Sequence, residues 1–167
     1  MAHFTTEITI EAPLDEVWQV LADIGTIARW NPGVIASRAT SETTTGLGAK
    51  RFCDLGGDNY LKEQVVEYRE RRKLTMRVTE TNLPFATADI HFSLREEDGR
   101  TLVVCAPDYA LKYGPLGTLM DRLYVRKTYE EGMRRLLRGL KDDVEQADRP
   151  VTAAAPAEQA AALSAGA

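Results

Sequence analysis

The chain has 167 residues, of which 44% are apolar and 28% are charged, and its formal net charge is −4. This length suits one domain that buries its core without disulfides or metal ions, and the composition is typical of a globular protein. Nucleic-acid binding needs a basic surface that neutralises phosphates. Because no dense run of Lys or Arg lies outside the predicted C-terminal helix, we expect no nucleic-acid partner.

The N-terminal residues and the two cysteines indicate a reduced, cytoplasmic protein. Residues 1–13 alternate polar and apolar side chains and predict neither a secretory signal nor a stable membrane insertion. Cys53 and Cys105 lie far apart in strand-like runs with no paired metal spacing, so we expect buried thiols and no metal site. Gly46 and Gly48 lack the Gly-Lys-Ser/Thr of a phosphate-binding loop, and the sequence implies no cofactor.

The N-terminal segment predicts one strand and two short helices. Residues 3–11 alternate with the period of a half-buried strand. Residues 14–23 carry apolar side chains at helical spacing, which predicts an amphipathic helix. A shorter helix over residues 26–30 should end before Pro32, because proline disfavours a helical conformation in the residue that precedes it.

The middle of the chain, from residue 34 to residue 112, has the periodicity of strands separated by turn residues. Strands this close in sequence should pair as an antiparallel meander that buries one face and curls. The six predicted strands cover residues 34–44, 49–55, 59–69, 72–80, 86–96 and 100–112.

A long C-terminal helix is predicted over residues 116–145, which contain no proline and would span about 45 Å. Acidic residues interleave with its basic residues, which is typical of a solvated helix flank. Residues 147–167 are rich in alanine and contain no aromatic side chain, so we predict a disordered tail after a domain over residues 1–146. The basic residues of this helix flank are Arg122, Arg126, Lys127, Arg134, Arg135 and Arg138.

The order of these elements, together with several local strings, resembles the START-like superfamily, also called birch-pollen-allergen-like or SRPBCC. Within it the chain is most similar to the polyketide cyclase/dehydrase and lipid-transport-like group. The resemblance implies an α+β helix-grip fold, in which a curved antiparallel sheet of about seven strands surrounds the C-terminal helix and a ligand-sized apolar cavity. It covers residues 3–145 and is specific for the fold rather than for a function. The matching strings are residues 10–18 (IEAPLDEVW), 30–32 (WNP), 46–49 (GLGA), 63–65 (EQV), 114–117 (GPLG) and 137–141 (LRGLK).

Alternation within the predicted strands places one charged residue, Glu63, among apolar side chains on the inner face. An ionised carboxylate there costs several kcal/mol unless it is paired, and Arg51 on the neighbouring strand is the expected partner. The pair either anchors a ligand or is a structural salt bridge, unless a bulge turns one residue outward. The predicted ligand contacts are Arg51, Glu63, Val65, Met76, Val78, Ile90, Phe92, Cys105, Tyr109, Tyr129 and Met133.

Alternation also places His91 on the opposite face, so we predict that it is exposed to solvent. A histidine-dependent base or a zinc site is therefore not expected, since no partners lie at a recognisable spacing.

These features predict a protein that binds a small hydrophobic molecule, such as a polyketide-like aromatic, a lipid or a quinone, in an internal cavity. One alternative is an enzyme of the polyketide cyclase, aromatase or dehydratase type, with Arg51 and Glu63 as catalytic candidates. Another is a protein-interaction module that acts through the basic flank of the C-terminal helix. The sequence defines neither the ligand nor the oligomeric state.

Overall fold

A computed structural model describes residues 1–112 and 125–147 of the chain. Within these ranges the chain forms eight strands, two α-helices and one 3-10 helix. The strands are β1 (Ala2–His3), β2 (Thr6–Ile10), β3 (Ala36–Ala39), β4 (Lys50–Gly56), β5 (Asn59–Arg69), β6 (Lys73–Thr81), β7 (Phe85–Glu97) and β8 (Arg100–Leu111). The helices are α1 (Leu14–Ala22), the 3-10 helix (Ile24–Arg29) and α2 (Arg126–Ala147).

The strands form one antiparallel sheet in the order β1-β8-β7-β6-β5-β4-β3, and β2 also pairs with β8. From β3 to β8, strands that are consecutive in the chain are neighbours in the sheet, which is the predicted meander. The single strand predicted over residues 3–11 is two strands, because the chain leaves the ladder at Phe4, which is buried, and at Thr5. The described residues therefore contain one strand more than predicted.

Strand β5 has the predicted bounds, whereas β3 is much shorter than the predicted 34–44. Its C-terminal end lies where polar side chains begin to bond the backbone. The Ser41 hydroxyl accepts a hydrogen bond of 2.7 Å from the backbone N–H of Lys50 and donates one of 2.6 Å to the Thr43 carbonyl. Such local bonds compete with a sheet ladder, so the strand ends before this segment.

Helix α2 packs against β2 and α1 and covers one end of the sheet. It buries four apolar side chains and is tied to the β2 segment by a 2.7 Å bond from Lys141 Nζ to the Thr9 carbonyl. No described helix has the length and hydropathy needed to cross a membrane. The predicted first turns of this helix, before residue 125, and the predicted tail beyond residue 147 lie outside the described residues. The buried side chains of α2 are Leu136, Leu137, Leu140 and Val144.

A close approach fixes α2 against the end of the 3-10 helix. A Cβ atom at Gly139 would lie 1.8 Å from the backbone oxygen of Trp30, a distance at which atoms overlap. Glycine is therefore needed here for close packing rather than for backbone freedom. Gly132, two turns earlier in α2, has no atom within 4 Å of a Cβ position.

Candidate ligand-binding site

The centre of the candidate site is a cross-strand pair between β4 and β5. Arg51 and Glu63 are direct neighbours across this ladder, and both side chains lie on the inner face. They are 6% and 2% exposed. The β5–β6 register shifts between Lys62 and Glu63, yet Glu63 still points inward. The structure thus brings the two predicted residues together.

The two oxygens of the Glu63 carboxylate differ in the hydrogen bonds they accept. Arg51 Nε donates to Glu63 Oε2 over 2.7 Å, and the Cys53 thiol donates to the same oxygen over 3.7 Å. Arg51 Nη1 donates to the carbonyl of Ile24 over 3.3 Å, which holds the guanidinium against the 3-10 helix. Glu63 Oε1 is buried and has no hydrogen-bond partner within residues 1–112 and 125–147. One carboxylate oxygen is therefore saturated and the other is free.

The charges of this pair stabilise each other in a dry environment. Burial alone would lower the pKa of Arg51, but the Glu63 charge, the interaction with Cys53 and the hydrogen bond to Glu63 together outweigh it, and the pKa is raised. Burial raises the pKa of Cys53 to about 12, and Glu63 adds to this rise while Arg51 opposes it. The thiol therefore stays protonated at neutral pH and keeps its hydrogen-bond donor.

The apolar part of the site continues across the sheet from the Arg51–Glu63 pair. Val65 faces Met76 across β5 and β6, and Met76 faces Ile90 across β6 and β7. All three side chains belong to the main buried cluster of the molecule, and so do the predicted contacts Phe92 and Cys105. The Met133 sulfur of α2 lies 3.9 Å from the Cys105 sulfur and packs against the same cluster.

A second cluster of aromatic rings lies at the end of the site near β1. Tyr109 is fully buried, and its ring meets that of Tyr129 edge to face at 5.1 Å. Phe4 and Phe85 contact both tyrosine rings, and Val78 packs beside them. The pKa of Tyr129 is raised by burial and further by the charges of Cys105 and Glu63. The carboxylate field therefore reaches this cluster.

The sheet is split between β6 and β7. Their ladder runs from Lys73–Ser93 to Arg77–Asp89 and stops there, although both strands continue. A cleft of about 220 Å³ lies between residues 78–81 of β6 and 85–88 of β7. Val78 and the buried Ala88 belong to the aromatic cluster, so the cleft leads from the surface to the inner face.

A larger groove of about 430 Å³ lies outside this site, between residues 28–34 and α2. It contains Arg135 and Arg138, two of the basic residues predicted for the helix flank, and neither forms an ion pair with another described residue. Arg29 of the same groove is paired with Asp143 over 2.7 Å. The hypothesis of a protein-interaction surface here stays a prediction.

His91 is less exposed to solvent than predicted. His91 lies on the outer face as expected, but its side chain is only 27% exposed. Its ring lies 3.0 Å from the Thr75 hydroxyl and 3.2 Å from Asp108, and His3 bonds the same carboxylate over 2.8 Å. Polar residues of β6 and β8, the strands on either side of β7, thus contact the ring. Within the described part of the chain no group of side chains is arranged to hold a metal ion.

Three contributors to the inner face were missed at the sequence level. Cys53 follows Arg51 by two residues, so the same alternation that placed Arg51 could have placed the thiol beside Glu63. Phe4 lies within the predicted strand 3–11, and Phe85 lies one residue before the predicted strand 86–96. Neither is among the predicted ligand contacts. No sequence pattern signals the carbonyl of Ile24 as an acceptor for Arg51, because that contact depends on packing.

A model of the family described as polyketide cyclase / dehydrase and lipid transport matches residues 1–145. The chain belongs to this family. This is the group that the sequence most resembles, and that prediction is confirmed. No curated protein matches the chain.

Solved structures with the same architecture come from several bacteria. The Zhui aromatase/cyclase from Streptomyces sp. R1128 has a TM-score of 0.74 and 21% identity, over 89% of this chain and 96% of that one. The TTHA0849 protein from Thermus thermophilus has a TM-score of 0.74 and 20% identity, over 89% and 100% of the two chains. A START superfamily protein from Mycobacterium smegmatis has a TM-score of 0.72 and 16% identity, over 87% and 98%. At these identities the likeness shows the helix-grip fold alone.

Proposed function

We propose that this protein binds a small hydrophobic molecule between the inner face of the sheet and helix α2. The observation that carries the proposal is the split between β6 and β7, which leads from the surface to an inner face whose charged groups are Arg51 and Glu63. Membership of a family described by polyketide chemistry and lipid transport supports the same function.

Several side chains beside the inner face can move to make room for a ligand. Met133 and Tyr129 of α2 are only partly buried, and the buried Met76 of β6 is unbranched and flexible. An apolar ligand that covers these groups gains about 25 cal/mol for each Å² of apolar surface removed from water. Binding therefore requires rearranged side chains rather than a rearranged sheet.

A titration with methoxynaphthalene tests the proposal, with ligand fluorescence as the readout. The wild-type protein should bind the probe, and Val78→Lys should weaken binding by at least about tenfold, because it places a charge in the apolar entrance. Ser93→Lys is the matched control, since Ser93 is exposed and lies on β7 outside the cleft. Absence of binding to the wild type, or equal effects of the two variants, contradicts the proposal.

A cyclase-type reaction is a second candidate, favoured by the free oxygen of Glu63 beside a buried guanidinium. A carboxylate in such a place can move a proton to or from a bound polyketide-like chain. In that case Glu63→Gln should keep probe binding but reduce turnover by about 100-fold or more. Unchanged turnover excludes this role.

A further inference from the structure

The free oxygen of Glu63 is a hydrogen-bond acceptor inside an apolar site. Buried polar atoms in folded proteins are nearly always paired, so a buried acceptor with no partner among the described residues is a candidate contact for a bound molecule. Glu63 Oε1 is such an atom, on a side chain that is 2% exposed. The proposed ligand site is where that partner would enter.

The described hydrogen bonds around this carboxylate are directed at Oε2 or at the backbone. Arg51 uses Nε on Glu63 Oε2 and Nη1 on a backbone carbonyl, and the Cys53 thiol is directed at Oε2 as well. The neighbour of Glu63 on β6 is Val78, which has no polar side-chain atom. Tyr129 lies within the field of the carboxylate but makes no hydrogen bond to Oε1. The missing donor is therefore not supplied by these neighbours.

The charge of the site restricts the ligand further. A ligand carboxylate would bring a second negative charge to a free carboxylate oxygen, while the guanidinium that could neutralise it is bound to Glu63. A buried like-charge contact of this kind is strongly unfavourable. A hydroxyl group, in contrast, donates a hydrogen bond to Oε1 and adds no charge.

We infer that Glu63 Oε1 selects an uncharged ligand with a hydroxyl group and rejects ligands with a carboxylate. The inference rests on the proposed binding function and adds the class of ligand to it. Glu63 then acts as a specificity-determining residue. Its free oxygen accepts a hydrogen bond from the ligand hydroxyl, while Arg51 and Cys53 hold the other oxygen in place.

Three probes of one ring shape test the inference on the wild-type protein at neutral pH: naphthol, methoxynaphthalene and naphthoate. Naphthol should bind at least about tenfold tighter than methoxynaphthalene, the effect expected of a hydrogen bond to a charged group. Naphthoate should bind more weakly than methoxynaphthalene. Equal binding of naphthol and methoxynaphthalene, or tighter binding of naphthoate, overturns the inference and leaves the proposed function intact. If none of the probes binds, the proposed function itself fails.

Two amide variants locate the selectivity. Glu63→Gln should reduce the preference for naphthol and strengthen naphthoate binding relative to the other probes, because the negative charge is lost. Asp89→Asn makes the same change on the outer face and should leave the order of the three probes unchanged. A preference that persists in Glu63→Gln assigns it to another group and overturns the inference. If this variant does not fold, the wild-type comparison still decides.

Discussion

Two arginine–carboxylate pairs join neighbouring strands, one on each face of the sheet. Arg51–Glu63 links β4 to β5 on the inner face, and Arg77–Asp89 links β6 to β7 on the outer face. The shortest distance between the charged atoms is 2.7 Å in both pairs. The inner side chains are 6% and 2% exposed, whereas the outer ones are 55% and 22% exposed. The same two chemical groups therefore meet in very different surroundings.

The two carboxylates differ in how many of their oxygens accept hydrogen bonds, and this difference is the one that the proposed binding function needs. Both oxygens of Asp89 accept from Arg77, over 2.8 and 2.7 Å, so the outer pair is complete. Glu63 has one oxygen bound and one free. Exposed pairs contribute about 0–1 kcal/mol to stability, and a buried pair often contributes no more than apolar residues of the same shape. The inner pair is thus poorly explained by stability, and the proposed ligand binding would give it a role.

The largest expected effect is the loss of one partner of the inner pair. Glu63→Leu should lower the free energy of unfolding by about 3–5 kcal/mol, because Arg51 stays buried without its counter-charge. The double variant Arg51→Met, Glu63→Leu should recover most of this loss. Urea denaturation measures both. Equal losses in the single and double variants would show that burial of the charge is not the cause.

The helix that covers the inner face allows a second, smaller test. Gly139→Ala should cost about 1–3 kcal/mol, because its Cβ collides with the backbone of Trp30 and α2 must move. Gly132→Ala is the matched control and should stabilise α2 by about 0.5–1 kcal/mol. Thermal unfolding of both variants gives the comparison. A Gly139→Ala variant with unchanged stability would mean that α2 does not pack against the end of the 3-10 helix as closely as described.

The inner thiols add a dependence of stability on alkaline pH. Burial raises the pKa of Cys53 and Cys105 from 9.0 to about 12, so above pH 9 the unfolded chain loses thiol protons that the native protein keeps. Stability therefore falls as the pH rises from 9 towards 12. Between pH 8 and pH 10 each thiol should account for about 1 kcal/mol of this loss. Urea denaturation of Cys53→Ala, Cys105→Ala should show a shallower decline, and an unchanged slope would contradict thiol burial.

The smallest effect belongs to the outer pair. Asp89→Asn should lower the free energy of unfolding by less than about 1 kcal/mol at neutral pH. Hydrogen bonds from Arg77 lower the pKa of Asp89, so its contribution is present at neutral pH and is lost as the pH falls through that lowered pKa. Denaturation at neutral and acid pH checks both statements. A loss as large as that of Glu63→Leu would remove the contrast between the two faces.

The sequence predicted the parts of the fold and site that follow from local rules. Alternation around Leu61 and Val65 was enough to turn Glu63 inward, and the short turn between β4 and β5 brought Arg51 opposite to it. Contacts between distant segments were not predictable in this way. Neither the split after Arg77–Asp89 nor the approach of Gly139 to the 3-10 helix has a local signal, since both depend on how the sheet twists and how α2 packs.

The central claim, that the inner face receives the ligand, can be tested with methionine methyl groups in an NMR titration with methoxynaphthalene. Met76 lies buried on the inner face, Met133 lies opposite on α2, and Met1 is 92% exposed on the surface. The account predicts that the methyl resonances of Met76 and Met133 shift together with one binding constant while that of Met1 stays in place. Saturable binding of the probe that leaves Met76 and Met133 unchanged would contradict it.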